Sequence, residues 1–288
     1  MAAFETPEPI SLTIAVPVGS VHLLASPRPD TVVVVNPTDR SQPLDQEAAE
    51  RTSIDLVDVR LTVKTPKPRG LGGLIGVTKT GSVEVIIELP EGSNVQIDTG
   101  IADVRADGPL GETRIRNGAG DVRLDQTGKA DVTTGAGQLS INEIRGDAEL
   151  STAGELQIGQ IDGNAEIKNL NGRTLVGEAR GRMEVKSANG DITVDRTHSD
   201  VTAKTANGNI AIGEVRSGTI RLETSFGTID VGIPEGTTAW VDASTRFGKV
   251  RNSLESAVSS EASQTVDVEA RTSFGDIVIG RPTRKGTL

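Results

Sequence analysis

Ala188-Asn189-Gly190-Asp191-Ile192-Thr193-Val194, Ala206-Asn207-Gly208-Asn209-Ile210-Ala211-Ile212 and Ser225-Phe226-Gly227-Thr228-Ile229-Asp230-Val231 are one phrase read three times. Each has a corner glycine with apolar residues two and four positions later. Working outward, the same phrase stands at Gly120, Gly137, Gly154 and Gly275, with weaker copies at Gly172 and Gly248 and an alanine version at Ala102. From 102 to 227 the anchors stand 17–19 residues apart, and the last two intervals widen to 21 and 27. A period of that length is the mark of a repeat architecture. The widening predicts insertions in the last turns of a ladder stacked in chain order.

Other columns keep the same period. Three residues before each anchor stands a small polar residue, among them Asn117, Thr134, Ser151, Asn169, Thr205 and Thr224. Five before stands an apolar residue such as Ile115, Ile167 or Leu222, except where the turn at Leu150 is one residue shorter. Immediately before the anchor come blocks of Ala, then Asn171, Asn189 and Asn207, then Phe226, Phe247 and Phe274. Like residues in consecutive repeats are what stacked equivalents produce. Alternation sends every second side chain inward, and Gly-rich corners supply tight turns. Eighteen residues at about 3.3 Å each make a circuit of roughly 60 Å, a thin coil filled by side chains. The expected fold is an all-β, single-stranded parallel β-solenoid, or β-helix, with rungs of about 18 residues, right-handed by the rule for parallel crossovers. In this reading the Phe column is interior filling, with an exposed stripe for a partner as the alternative, and Trp240 is core or end-cap filler rather than a recognition residue.

Composition agrees. Aromatic residues are 2% of the 288, so Val, Ile, Leu and Ala must fill the core. The absence of Cys removes disulfides, thiolate metal sites and cysteine nucleophiles. A net charge of −10 disfavours nucleic acid, whose binding rests on Lys and Arg at phosphates. Residues 1–95 read as an irregular β segment and N-terminal cap. They hold a strand from Ile10, a short helix after Pro43, a strand over 55–64 and a flexible loop at 65–76. The solenoid proper spans 96–280, and 281–288 reads as a disordered tail. The beginning of the chain shows no signal peptide and no run reaches the length of a membrane helix. That makes the chain cytoplasmic by expectation, or peripheral at a membrane.

Chemistry is sparse. The two histidines, His22 and His198, have no fixed nucleophile or second ligand nearby in sequence, so no catalytic, cofactor or metal residues are expected. Asn117-Gly118-Ala119-Gly120-Asp121 has the look of a calcium β-roll, but that motif must return every nine residues. The glycines of 70–76 lack the lysine and helix of a phosphate loop. Lys67, Arg69, Leu71, Leu74 and Ile75 in that loop are the candidate contact for a partner or membrane.

Gly19-Ser20-Val21, together with the phrases at 188–194, 206–212 and 224–231, resembles a bacterial β-strand-repeat family of unknown function labelled as adhesins, within the toastrack-type domains. The likeness runs from about residue 10 to 280, and its motifs are architectural. It implies the fold, and it carries over no site residue. Some relatives are linked with envelope stress and sit beside membrane segments. The expected function is a non-catalytic scaffold or protein-interaction module, whose partner is an unknown protein or a second copy. An envelope-associated sensing or adhesin-like protein recruited to a membrane partner is the alternative, and a carbohydrate-active β-helix enzyme comes third.

Overall fold

The computed structural model describes residues 1–66, 80–254 and 264–282. The chain forms two compact units, Met1–Ile141 and Asn142–Leu288. Both are parallel β-solenoids, and the helix Pro43–Glu50 is the one α-helix among the described residues.

In the second unit each circuit is two strands. Ala165–Asn171 pairs in parallel with Met183–Asn189, and that strand pairs with Val201–Asn207, always one period on. On the other side Thr174–Ala179, Ile192–Thr197 and Ile210–Val215 stack likewise. Ile167, Val185, Ala203 and Leu222 form one inward column, and Val176, Val194, Ile212 and Val231 another, all 2% exposed or less. Burying such a Val, Ile or Leu side chain contributes about 1.5–3 kcal/mol. Uniform columns of these residues therefore hold the register without aromatic bulk.

The corners explain the invariant phrase. Gly190 has φ +135°, and a Cβ there would lie 2.0 Å from the carbonyl oxygen of Gly172 in the rung before. Only glycine allows that approach. The residue after the glycine then ties rung to rung: the Asp191 carboxylate accepts from Asn209 N–H at 2.8 Å, and Asn209 Oδ1 accepts from Thr228 N–H at 2.8 Å. The Asn block is a ladder of side-chain amides, Asn189 donating to Asn171 at 3.0 Å and Asn207 to Asn189 at 2.9 Å.

One position shifts from the periodic expectation. Thr152, not Ser151, stands beside Asn169, because the short turn at Leu150 restores register there. Thr174 lies under Ile192, where the period puts it, although that column is otherwise apolar. It is fully buried, and its hydroxyl accepts from Asn169 Nδ2 at 3.1 Å, which gives the polar residue in the apolar column a partner, while Oδ1 of that asparagine has none among the described residues.

The larger departure is the order of the last rungs. Gln264–Phe274 lies between Gly218–Phe226 and Thr237–Phe247, so the chain runs to the end of the ladder and then returns to fill the rung before it. On the other side Ile277–Gly280 lies between Ile229–Gly232 and Val250–Asn252. The wide spacings mark this exchange of order rather than insertions in a chain-ordered stack. The physical reason is in the columns. Asn252 stands in register with Ile279, so the other order would place an amide in the inner stack where Ile279 is now fully buried, at the cost of burying a polar group.

In the first unit, Ser11–Ser26 runs as one long strand alongside Asn94–Leu110. Its other edge pairs in parallel with Arg60–Lys64 and Val83–Pro90. Beyond these the pairing turns antiparallel: Asp30–Pro37 on Val83–Pro90, Ala2–Glu5 on Asp30–Pro37, and Ser53–Val57 on Arg60–Lys64. The strand expected over 55–64 is thus a hairpin. Its two-residue turn carries Asp58 at φ +53°, as such turns require. The helix is held by Asp45, whose carboxylate accepts from Ser82 N–H at 2.8 Å and Asp39 N–H at 3.0 Å.

Candidate functional site

The most unusual surface lies at the corners of the second unit's last three rungs. Thr224-Ser225-Phe226, Thr272-Ser273-Phe274 and Thr245-Arg246-Phe247 stand in register. Each threonine hydroxyl donates to the glycine carbonyl of the preceding rung: Thr224 to Gly208 at 2.9 Å, Thr272 to Gly227 at 3.0 Å, and Thr245 to Gly275 at 2.9 Å. That bond fixes the corner, and the following residues turn outward.

The phenylalanines are therefore not core. Phe226, Phe274 and Phe247 are 54%, 44% and 60% exposed, which corrects their expected place inside the rungs. They remain a stack. Phe226 and Phe274 centroids are 4.9 Å apart at 3°, and Phe274 and Phe247 are 4.8 Å apart at 10°. Neighbouring strands lie about 4.8 Å apart, so identical side chains on successive corners are held face to face by the backbone. Phe274 is covered on both faces by its two neighbours, and the ring edges meet water. The period that places the three rings in one column was visible in sequence. Its direction was not, because the corner begins between Thr and Phe and breaks the alternation there.

Beside the ridge is a 390 Å³ groove walled by Ser225, Ser244, Ser273 and Arg246. The one carboxylate lining it, Glu223, is paired with Lys204 at 2.8 Å, and no histidine reaches it. On the terminal strand Thr237–Phe247, Trp240 is 71% exposed, which corrects its reading as filler.

The first unit has a 1290 Å³ open groove between Val16, Pro17, Lys64, Pro66, Asp98 and Arg116. Lys67, Arg69, Leu71, Leu74 and Ile75, the contact expected from sequence, lie outside the described residues.

The histidines are tied into ion-pair clusters in separate units. His22 Nε2 is 2.7 Å from Asp107, which also binds Arg105 at 2.8 Å. The Arg105 hydrogen bond, aided by His22, holds the Asp107 carboxyl below the ordinary range against partial burial. His198 Nε2 is 3.0 Å from Glu178, beside Arg180 and Arg196. Burial pushes Glu178 up, but the Arg180 hydrogen bond and the Arg180, Arg196 and His198 charges outweigh it and hold the group low. Asn117 builds a corner, donating to Ala102 O at 2.9 Å and Gly120 O at 3.2 Å. Among the described residues no three His, Asp or Glu converge as metal ligands.

Columns of like residues, glycine corners and paired faces together define a two-sided β-solenoid repeat domain. More narrowly, the chain belongs to the Toastrack DUF4097 family, whose pattern matches residues 19–280. Among solved structures it is similar to a protein labelled an adhesin from Bacteroides fragilis NCTC 9343, at 12% identity over 96% of this chain and 95% of that one, with a TM-score of 0.40. It is also similar to one labelled a cell adhesion protein from Clostridium sporogenes ATCC 15579, at 13% identity over 97% and 98%, with a TM-score of 0.21. No curated protein matches the chain.

Proposed function

We propose that this chain is a non-catalytic interaction scaffold, and that the phenylalanine ridge of its second unit is the face that docks a protein partner. One observation carries the reading: three phenylalanines stand on rigid corners with about half of each in water. Exposed aromatic rows cost solubility unless something covers them, and aromatic anchors on a rigid frame are what protein interfaces favour. The Thr–carbonyl bonds hold the ridge in place, so little order is lost on binding. Support for a non-enzymatic role comes from the polar groups: both histidines are hydrogen-bonded to carboxylates, and the ridge-side groove offers hydroxyls without a free base.

Partner recruitment, including recruitment to a membrane protein, belongs to this same reading. No helix among the described residues is long and apolar enough to cross a membrane.

The test is capture from extract of the native cell, with and without membranes, by the full chain and by a Phe226→Ser, Phe274→Ser variant with an intact strand spectrum. The expected result is a defined partner retained by the wild type and lost by the variant. Identical captured sets would remove the ridge as the docking face.

A further inference from the structure

We infer that the terminal rung of the second unit pairs edge to edge with a second copy of this chain, through strand Thr237–Phe247 running antiparallel to itself. Among the described residues this strand pairs only with Gln264–Phe274, so its other edge presents unpaired N–H and C=O groups. It is 11 residues long, about 35 Å of open ladder. Edge strands are normally blunted by lysine, proline, a bulge or a covering element. Here the strand carries no lysine and no proline. The first unit, by contrast, ends its parallel ladder in antiparallel strands and a helix.

The inner face is also unfinished. Val266, Val268 and Ala270 are buried, while their register partners Ala239, Val241 and Ala243 on the terminal strand are only half-buried. Trp240 and the outer ring Phe247 are open on the same rung. A second layer is missing from a core that is otherwise closed.

Charge selects the occupant. The strand's two charges are Asp242 and Arg246, four residues apart and both directed outward. A two-fold axis through Ser244 places Asp242 opposite Arg246 of the second copy, and the symmetry makes a second identical pair. The same register sets Val241 opposite Phe247 of the second copy and Trp240 opposite its Gly248. Among the described residues nothing competes strongly. Asp242 reaches Arg271 only at 3.6 Å, with both side chains largely exposed, and Arg246 is in no ion pair among the described residues. An unrelated strand would satisfy the backbone, but a copy of this strand also satisfies its charges twice.

The inference goes beyond the docking reading of the ridge and fails separately from it, since Phe226 and Phe274 are not on the terminal strand. The test is sedimentation velocity of the full chain across about 1–100 µM, with emission of Trp240, the sole tryptophan, followed over the same range. The wild type should dimerise as Trp240 emission moves to shorter wavelength. Asp242→Arg and Arg246→Asp should each weaken self-association about tenfold or more, because each sets like charges opposite one another. The double variant should restore it. A wild type that stays monomeric, or single variants no weaker than the wild type, or a double variant that is not rescued, would each overturn the proposal.

Discussion

Phe274→Ala removes the middle ring of the ladder, and its cost can be worked from exposure and stacking. Phe274 is 44% exposed, so a little over half of roughly 200 Å² is out of water, or about 110 Å². At about 25 cal/mol per Å² this is about 3 kcal/mol for the whole side chain, and about 2 kcal/mol after alanine keeps its own share. Phe274 also stacks on two rings, at 4.9 and 4.8 Å, each pair adding about 0.5–1.5 kcal/mol. The total is about 3–5 kcal/mol. Phe247 is 60% exposed, has one stacked neighbour and lies on the last rung, which gives about 2–3 kcal/mol by the same steps. Phe226, 54% exposed with one stacked ring, falls just above Phe247. Urea unfolding followed by far-UV circular dichroism measures all three, with slopes compared to detect fraying of the end rung. The order should be Phe274, then Phe226, then Phe247. A Phe247→Ala loss equal to or above that of Phe274→Ala would refute both the ladder order and the exposed placement.

The exchange of rung order has a direct chemical test, helped by the absence of native cysteine. Arg221→Cys with Glu269→Cys should oxidise readily, because these residues face each other on adjacent strands within disulfide reach; Arg221→Cys with Asp242→Cys, two strands apart, should not. Mass spectrometry of the oxidised proteins reads the answer, and the reverse outcome would restore chain-ordered stacking. The Glu178 cluster predicts an acid limb: a lowered folded pKa contributes stability above the ordinary glutamate value of 4.5, and that contribution is lost as pH falls through the folded value. Melting temperature against pH should therefore drop less steeply below about 4.5 in Glu178→Gln than in the wild type, and identical slopes would show that the cluster is not coupled to folding.

Most of the fold was legible because a solenoid writes its register in the period. The glycine anchors, inward columns and Asn ladder all follow from spacing, since each rung repeats one local problem and its solution. What escaped follows from two physical limits. Periodicity reports which residues are equivalent, but not which equivalents touch, so Phe226, Phe247 and Phe274 were read in chain order. Alternation reports inward or outward only along a straight strand, and the corner between Thr245 and Gly248 is not one. A sequence signal for the exchange did exist: Val250-Arg251-Asn252 is a poor interior strand beside Ile277-Val278-Ile279. The tryptophan misled for a related reason, since size alone argues for burial, while Trp240 lies on the outward phase of its strand between Ala239 and Val241.

The exchange also ties the ridge to the open edge. Filling the penultimate rung last puts the better apolar strand, with Val266, Val268, Ile277 and Ile279, between two neighbours. Each of these side chains is then covered on both sides, and the residues that gain least from coverage are displaced to the end. Those displaced residues are Trp240, Asp242, Arg246, Phe247 and Asn252, several of them large or charged and all exposed. A chain-ordered ladder would have hidden part of this set and ended on Gln264–Phe274 and Ile277–Gly280 instead, leaving Val266, Val268, Ile277 and Ile279 on an open edge. The observed order leaves an edge whose two charges are complementary under a two-fold axis, while Phe274 at the centre of the ladder locks the ridge to the rung below. The ridge and the open edge share only Phe247, so substitutions at Phe226 should leave the edge intact just as substitutions at Asp242 should leave the ridge intact.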